Sequence, residues 1–300
     1  MVVHPSALVA NRTERLIVQK RFASITPIAL LSPALLMVGL LFVYPLLFSL
    51  AYAFRNEATG AWGLVNFEKA FSLYSNDILY TVFILVLATV LTGLFAIAIG
   101  GYLTLGENRR AVLILKWLYR WPLFIPMVVA GQLMRTFLAK NGMLNNGLMS
   151  LGLIEPLNAV SMLDWRGVVI TFVWKQLPFA ALLISGAMAS MDRSMIESAR
   201  NLGASRFRAL LEIVVPQVRA TIAVSLILSF VTMLSALSVP MMVIAGSPTM
   251  ITVDMAWRVN SYSDYGVANA LGFVSCAMSG VVAWFYLRQS VREQSHVVAK

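Results

Sequence analysis

Residue types that commonly carry out catalysis are scarce in this 300-residue sequence. The two histidines, His4 and His296, lie near opposite ends of the chain, and the single cysteine, Cys276, lies within an apolar run. The sequence contains no Gly-x-x-x-x-Gly-Lys-Ser/Thr phosphate loop, no His-Glu-x-x-His motif and no Gly-x-Ser-x-Gly motif. We therefore predict no catalytic residue, no metal site and no bound cofactor, and we do not expect an enzyme. Without the phosphate loop the chain cannot hydrolyse ATP by that route.

Three consecutive residues, Trp174, Lys175 and Gln176, lie inside an apolar run. A lysine near the centre of a membrane helix costs roughly 2.5–3.5 kcal/mol, so its ammonium group should face a polar cavity or a partner group. The apolar runs contain no Asp or Glu that could pair with it. One interpretation places the three residues on a translocation path. The other pairs Lys175 with a carboxylate of a partner subunit, or directs it along the helix to the interface.

The segment at residues 191–219 is polar, yet its apolar residues recur at helical spacing. Its first part predicts an amphipathic helix with an apolar stripe formed by Met195, Ile196, Ala199 and Leu202. Gly203 should end this helix in a left-handed turn, and Ser205 is suited to be the N-cap of a second helix. We predict two short helices joined by a glycine bend, followed at Pro216 by the entry into an apolar run.

Long apolar runs on both sides of this segment predict membrane-spanning helices. Hydrophobic residues make up 59% of the chain and charged residues only 12%, which is unlike a soluble domain. About 20 helical residues cross the hydrocarbon core of a bilayer. The sequence therefore predicts an all-α integral membrane protein with six transmembrane helices, at residues 27–54, 78–103, 121–138, 166–190, 220–245 and 267–287.

Basic residues are distributed unequally between the predicted connections. The two tails and the loops at 104–120 and 191–219 contain 16 Lys and Arg, whereas the alternate loops contain 4. Because Lys and Arg accumulate in cytoplasmic loops, we expect both termini to be cytoplasmic. The predicted organisation is a cytoplasmic tail at 1–26, a six-helix unit at 27–290 and a cytoplasmic tail at 291–300. Membrane orientation accounts for the net charge of +10, so nucleic acid is not expected as a partner.

The same segment carries a family resemblance. Glu197-Ser198-Ala199, followed after three residues by Gly203 and after nine more by Ile-Val-Val-Pro at 213–216, resembles the Glu-Ala-Ala loop of the membrane subunits of binding-protein-dependent ABC importers. The spacing agrees with the family pattern, and Ser198 replaces an alanine by another small residue. In that family the loop docks into the ATPase, which implies a coupling role for Glu197, Ser198, Ala199, Gly203, Ala204, Ser205 and Pro216. On the residues alone, the segment could instead be an amphipathic hairpin lying on the bilayer.

The resemblance implies the type I ABC importer permease fold and a location in the bacterial cytoplasmic (inner) membrane. The implied partners are two copies of an ATP-binding subunit, a second permease subunit that is homologous or identical, an extracytoplasmic solute-binding protein and the lipid bilayer. The alternative is a secondary transporter or channel that works alone. Inverted repeats or intramembrane carboxylates would be expected for that alternative.

The motifs differ in the substrate that they indicate. The motif Asn-Leu-Gly-Ala-Ser at 201–205 resembles the polyamine, opine and ferric-iron branch of the family. The motifs Val-Trp-Lys at 173–175 and Leu-Pro-Phe at 177–179 resemble sugar permeases. We expect a small organic solute, with a polyamine- or opine-like solute ranked before a carbohydrate.

Overall fold

The computed structural model describes residues 30–56 and 59–298, and this part of the chain is helical apart from its connections. Its twelve helices are α1 (Leu30–Phe54), α2 (Val65–Leu105), α3 (Arg109–Leu118), α4 (Met127–Leu138), α5 (Met143–Ser150), α6 (Trp165–Ala189), α7 (Arg193–Asn201), α8 (Arg206–Gln217), α9 (Arg219–Leu234), α10 (Ser238–Val243), α11 (Ile251–Asn260) and α12 (Tyr265–Val298).

The described helices provide four to six candidate spans, against six predicted. Four of them, α1, α2, α6 and α12, are long and apolar enough to cross a membrane by themselves. The number is six if each of two bent pairs of segments forms one span. Arg109–Phe124 and Met127–Ser150 are bent by 107°, and Arg206–Gln217 and Arg219–Leu234 are bent by 76°.

The bounds of several spans differ from the prediction. The predicted span 78–103 is the inner part of α2, whose 41 residues begin at Val65. α2 is kinked at Tyr74, whose φ of −122° and ψ of 15° are not helical. The turns before this kink precede the predicted span. The hydropathy pattern missed them because charged residues such as Lys69 and Asp77 interrupt the apolar run.

The structure describes only one of the two predicted terminal tails. The tail at 1–26 and the first residues of the span 27–54 lie outside the described residues. At the other end, α12 continues without interruption to Val298, so most of the predicted tail at 291–300 prolongs the last helix.

The third predicted span, 121–138, is not one straight helix. A 3-10 turn at Trp121–Phe124 is followed by a break at Ile125, and α4 begins after Pro126. Proline has no N–H, so Pro126 cannot donate the hydrogen bond that would continue the helix through the Pro122 carbonyl.

The fifth predicted span, 220–245, ends at Leu234, and a separate short helix, α10, begins at Ser238. A continuous helix would place Pro240 in its interior, where it could not donate to the carbonyl of Ala236. In the structure the hydroxyl of Thr252 donates to this carbonyl at 3.1 Å. The break is thus stabilised by a side chain from the connection to the last span.

The core lies where α2 packs along α6. Fully buried residues from several spans meet there, including Leu85, Phe172, Met233 and Leu271. A second buried cluster lies at the end of α2 and α6 that adjoins α7 and α8; it contains Ile184, Met188, Ile196 and Val214. This second cluster joins the segment 191–219 to the spans.

The connection between the last two spans contains α11, which the sequence did not predict. It is held against the first half of α2 by two hydrogen bonds: the N–H of Ile251 donates to the hydroxyl of Thr81 at 2.9 Å, and the N–H of Thr249 donates to Asp77 at 2.6 Å. Asp254 on α11 is buried, and its Oδ2 has no hydrogen-bond partner among the described residues. Burial, with a contribution from Asp77, raises the pKa of Asp254 to about 7.

Candidate coupling site

The segment 191–219 forms the predicted helical hairpin. A side-chain cap marks the start of each of its two helices. The Asp192 carboxylate accepts a hydrogen bond from the N–H of Ser194 at 2.9 Å and caps α7. The Ser205 hydroxyl accepts from the N–H of Arg208 at 3.2 Å and caps α8. Both are side-chain N-caps, which satisfy backbone donors that a helix start leaves without partners. The predicted cap at Ser205 is confirmed.

The bend between α7 and α8 is a Schellman motif. The N–H of Gly203 donates to the carbonyl of Arg200 at 2.9 Å, and the N–H of Ala204 donates to the carbonyl of Ala199 at 3.0 Å. Gly203 has φ of +86°, which confirms the predicted left-handed turn. A Cβ on Gly203 would have no atom within 4 Å. The backbone conformation, and not crowding, therefore requires glycine here.

The apolar residues of the hairpin have two different environments. Ile196 is buried in the cluster that joins the hairpin to the spans. Leu202 is 89% exposed and Phe207 is 70% exposed, on either side of the bend. The prediction of one continuous apolar stripe was therefore wrong: the pattern combines an inward face, which anchors the hairpin, with a protruding apolar tip.

Glu107 connects the hairpin to the end of α2. Its carboxylate forms ion pairs with Arg206 and, at 3.3 Å, with Arg200. The hydrogen bond and charge of Arg206, followed by those of Arg200, lower the pKa of Glu107. Because Arg200 belongs to α7 and Arg206 to α8, one carboxylate contacts both sides of the bend. The sequence prediction missed this residue, although Glu107 is the only acidic residue between α2 and α3.

The structure brings together six of the seven predicted coupling residues. Glu197 and Ser198 are exposed on α7, Ala199 is half-buried, and Gly203, Ala204 and Ser205 form the bend. Glu197 has no ion-pair partner in the described part of the chain. Pro216 lies apart, near the end of α8 where the chain bends into α9.

Lys175 has a partner that the sequence did not reveal. Its Nζ donates to the carbonyl of Pro122 at 2.6 Å and lies 3.4 Å from the carbonyl of Leu123. The Pro122 carbonyl also accepts a hydrogen bond from the N–H of Ile125 at 3.3 Å, which closes the 3-10 turn. The ammonium group is therefore a second donor to this carbonyl, at the break in the third span. The sequence analysis considered only carboxylates as partners and therefore did not anticipate these backbone carbonyls.

The neighbours of Lys175 point elsewhere, since consecutive helical residues are rotated by about 100°. Gln176 is 5% exposed, whereas Trp174 is partly exposed. The assignment of Trp174, Lys175 and Gln176 to a translocation path stays a prediction.

The geometry of the hairpin combines an anchored face with exposed residues at its bend. A rigid hairpin is anchored to two spans and exposes an apolar tip. Residues 66–290 match the family described as binding-protein-dependent transport system inner membrane component. The chain belongs to this family. It is a multi-pass inner-membrane permease subunit of an ABC importer and not an enzyme.

Comparison with individual proteins agrees with the family and the fold. The chain is 28% identical over 281 residues to the sulfoquinovosyl glycerol transport system permease protein of Agrobacterium fabrum, covering 87% of this chain and 89% of that protein. It is 31% identical to the spermidine/putrescine transport system permease protein of Escherichia coli, but over only 83 residues, or 28% of this chain and 30% of that protein.

A solved structure resembles the whole described architecture. It is the bacterial alginate ABC transporter, crystallised in complex with an alginate pentasaccharide-bound periplasmic protein. The similarity has a TM-score of 0.77 and covers 91% of this chain and 96% of that chain, with 21% sequence identity. This likeness confirms the predicted ABC importer permease fold.

Proposed function

We propose that this permease subunit carries a carbohydrate across the inner membrane. The support is the similarity to the sulfoquinovosyl glycerol permease, whose named solute is a sugar glycoside and which aligns over 87% of this chain. The polyamine-type permease aligns over only 28%. The ranking of a polyamine- or opine-like solute before a carbohydrate is therefore reversed, because the motif at 201–205 that suggested it belongs to the hairpin and not to a spanning helix.

The hairpin is the proposed docking element for the ATPase. The single observation that carries this role is the bend: a glycine at φ +86° exposes Leu202 and Phe207 at the tip, while Ile196 is buried against the spans. Such a tip can enter a groove of a partner and push the spans when the groove moves. Glu197, Ser198 and Ser205 add exposed polar groups around it.

The proposed orientation places the hairpin and both termini in the cytoplasm, as the excess of basic residues indicates. The proposed assembly contains two ATP-binding subunits, a second permease subunit and an extracytoplasmic solute-binding protein. In this assembly the solute path runs beside α6 near the break in the third span. Lys175 lies on that path, whereas Trp174 and the buried Gln176 point elsewhere from α6 and position it.

The test is purification of the importer from its native host through a tag on this chain. An ATPase should co-elute, and hydrolysis in proteoliposomes should rise when the solute-binding protein is loaded with a glycoside. Spermidine is the matched control and should give no rise. Absence of an ATPase would contradict the coupling role, whereas stimulation by spermidine alone would contradict only the substrate class.

A further inference from the structure

Helix α3 has a basic stripe beside an exposed apolar stripe. Arg109, Lys116 and Arg120 are seven and four residues apart, so at 3.6 residues per turn they lie on one face. All three are exposed. The adjoining face contains large apolar residues that are each more than half exposed: Leu113, Ile114, Trp117, Leu118 and Trp121. Basic and tryptophan-rich faces of this kind are typical of helices at a membrane surface.

A cavity of about 470 Å³ lies between this basic stripe and the coupling hairpin. Lys116 and Arg120 line it from the side of α3, and Arg193 lines it from the start of α7. None of these three cations has a carboxylate partner in the described part of the chain. Arg120 donates a hydrogen bond from Nε to the hydroxyl of its neighbour Tyr119 at 3.3 Å, and its guanidinium lies 5.6 Å from the centre of that ring.

The other charged groups that line the cavity do not cancel the positive charge of these three residues. Glu107 is paired with Arg200 and Arg206, which also line the cavity, so these three groups carry one net positive charge. Glu197 is the remaining acidic residue of the lining. Five cations against two carboxylates give the cavity a net charge of +3, which favours an anionic ligand.

We propose that this cavity binds the phosphate group of an anionic phospholipid. Phosphate accepts charge-assisted hydrogen bonds from Lys and Arg, and basic pockets between membrane helices on the cytoplasmic side suit anionic lipid headgroups. A soluble phosphate ester would use the same cations, but the apolar stripe beside the cavity offers a surface for acyl chains. The source is therefore a lipid of the adjacent leaflet, which is cytoplasmic in the proposed orientation.

The position of the cavity gives the lipid a role in coupling. Lys116 and Arg120 belong to the segment between α2 and the break at Ile125, whereas Arg193 belongs to the hairpin, so one headgroup bridges the two. This role depends on the proposed function of the hairpin, but binding of the lipid does not. The two parts are therefore measured separately.

The binding test uses the assembled importer in nanodiscs of phosphatidylcholine with a minor fraction of phosphatidylglycerol. Retained phosphatidylglycerol is counted by native mass spectrometry. Each cation removed from the cavity should weaken retention about five-fold, the contribution of one basic side chain near an anionic surface. Lys116→Gln tests one cation, and Lys116→Gln with Arg120→Gln tests two. The matched control is Arg110→Gln, which removes an exposed charge from the same helix without touching the cavity lining.

Retention that is lowered in both cavity variants and unchanged in the control supports the proposal. Equal retention in all variants, or an equal loss in Arg110→Gln, would overturn it. Release of phosphatidylglycerol by millimolar glycerol 3-phosphate would overturn the lipid as the source. In the same nanodiscs, phosphatidylglycerol should raise stimulated ATP hydrolysis of the parent and not of the double variant. If retention follows the prediction while hydrolysis does not, the lipid site stands and the role of the lipid in coupling is contradicted.

Discussion

The bend at Gly203 allows a quantitative test of the coupling hairpin. Left-handed backbone conformation costs a residue with a Cβ about 1–2 kcal/mol, and no atom lies within 4 Å of the place where that Cβ would be. Gly203→Ala should therefore shift the equilibrium between bent and unbent hairpins about 5- to 30-fold against the bend. Gly203→Val should cost more because it is β-branched, and Gly203→Asn should cost less because asparagine tolerates this region.

The assay is ATP hydrolysis stimulated by the loaded binding protein, together with the amount of ATPase that co-purifies. Both should fall in the order Asn, Ala, Val at position 203, while insertion into the membrane is unchanged. Gly152→Val is the matched control, since Gly152 also has positive φ, +70°, with no atom near the added Cβ, but lies outside the hairpin. If Gly203→Val couples like the parent, or if Gly152→Val uncouples equally, the reasoning is refuted.

Three further predictions concern groups whose contacts are described above. Glu107→Gln should lower stimulated hydrolysis less than Gly203→Val does, and exchanging the charges of Glu107 and Arg206 should restore it; unchanged stimulation in Glu107→Gln would contradict this. Lys175→Met removes the charged donor to the Pro122 carbonyl and should lower the stability of the solubilised permease by about 1.5–3 kcal/mol, the contribution of a hydrogen bond from a charged group. A variant of normal stability with slow uptake would instead assign Lys175 to the solute path alone. Asp254 has a folded-state pKa of about 7 against an ordinary value of 3.8, so its contribution to stability decreases as pH rises between these values. Asp254→Asn should flatten the pH dependence of the melting temperature in this range, and an unchanged slope would contradict it.

Sequence reasoning predicted what local signals determine. Glycine after an amphipathic helix and serine before the next predict a left-handed turn and an N-cap, and both occur at Gly203 and Ser205. These features depend on residues within one or two turns of each other. The number of spans was predictable for a similar reason, because hydropathy is averaged over about 20 neighbouring residues.

Contacts between distant segments were not predictable. Lys175 contacts a carbonyl 53 residues away in sequence, and Glu107 contacts an arginine 93 residues away. Nothing within a few residues of Lys175 shows that its ammonium group contacts the carbonyls of the 3-10 turn before Pro126. The exposure of Leu202 was missed because helical spacing groups apolar residues without indicating which of them meet the core.

The most direct measurement of the central claim is a cross-link from the tip of the hairpin to the ATPase. Cys276, the single cysteine of the chain, is replaced by serine, and cysteine is introduced at Leu202 or at Leu157. These positions are 89% and 91% exposed, so both should react equally well with a short bifunctional reagent. The account predicts that Leu202→Cys cross-links to the ATPase and that Leu157→Cys, in the connection before α6, does not. A purified complex that contains the ATPase but gives no cross-link at Leu202, or one that cross-links through Leu157, would contradict it.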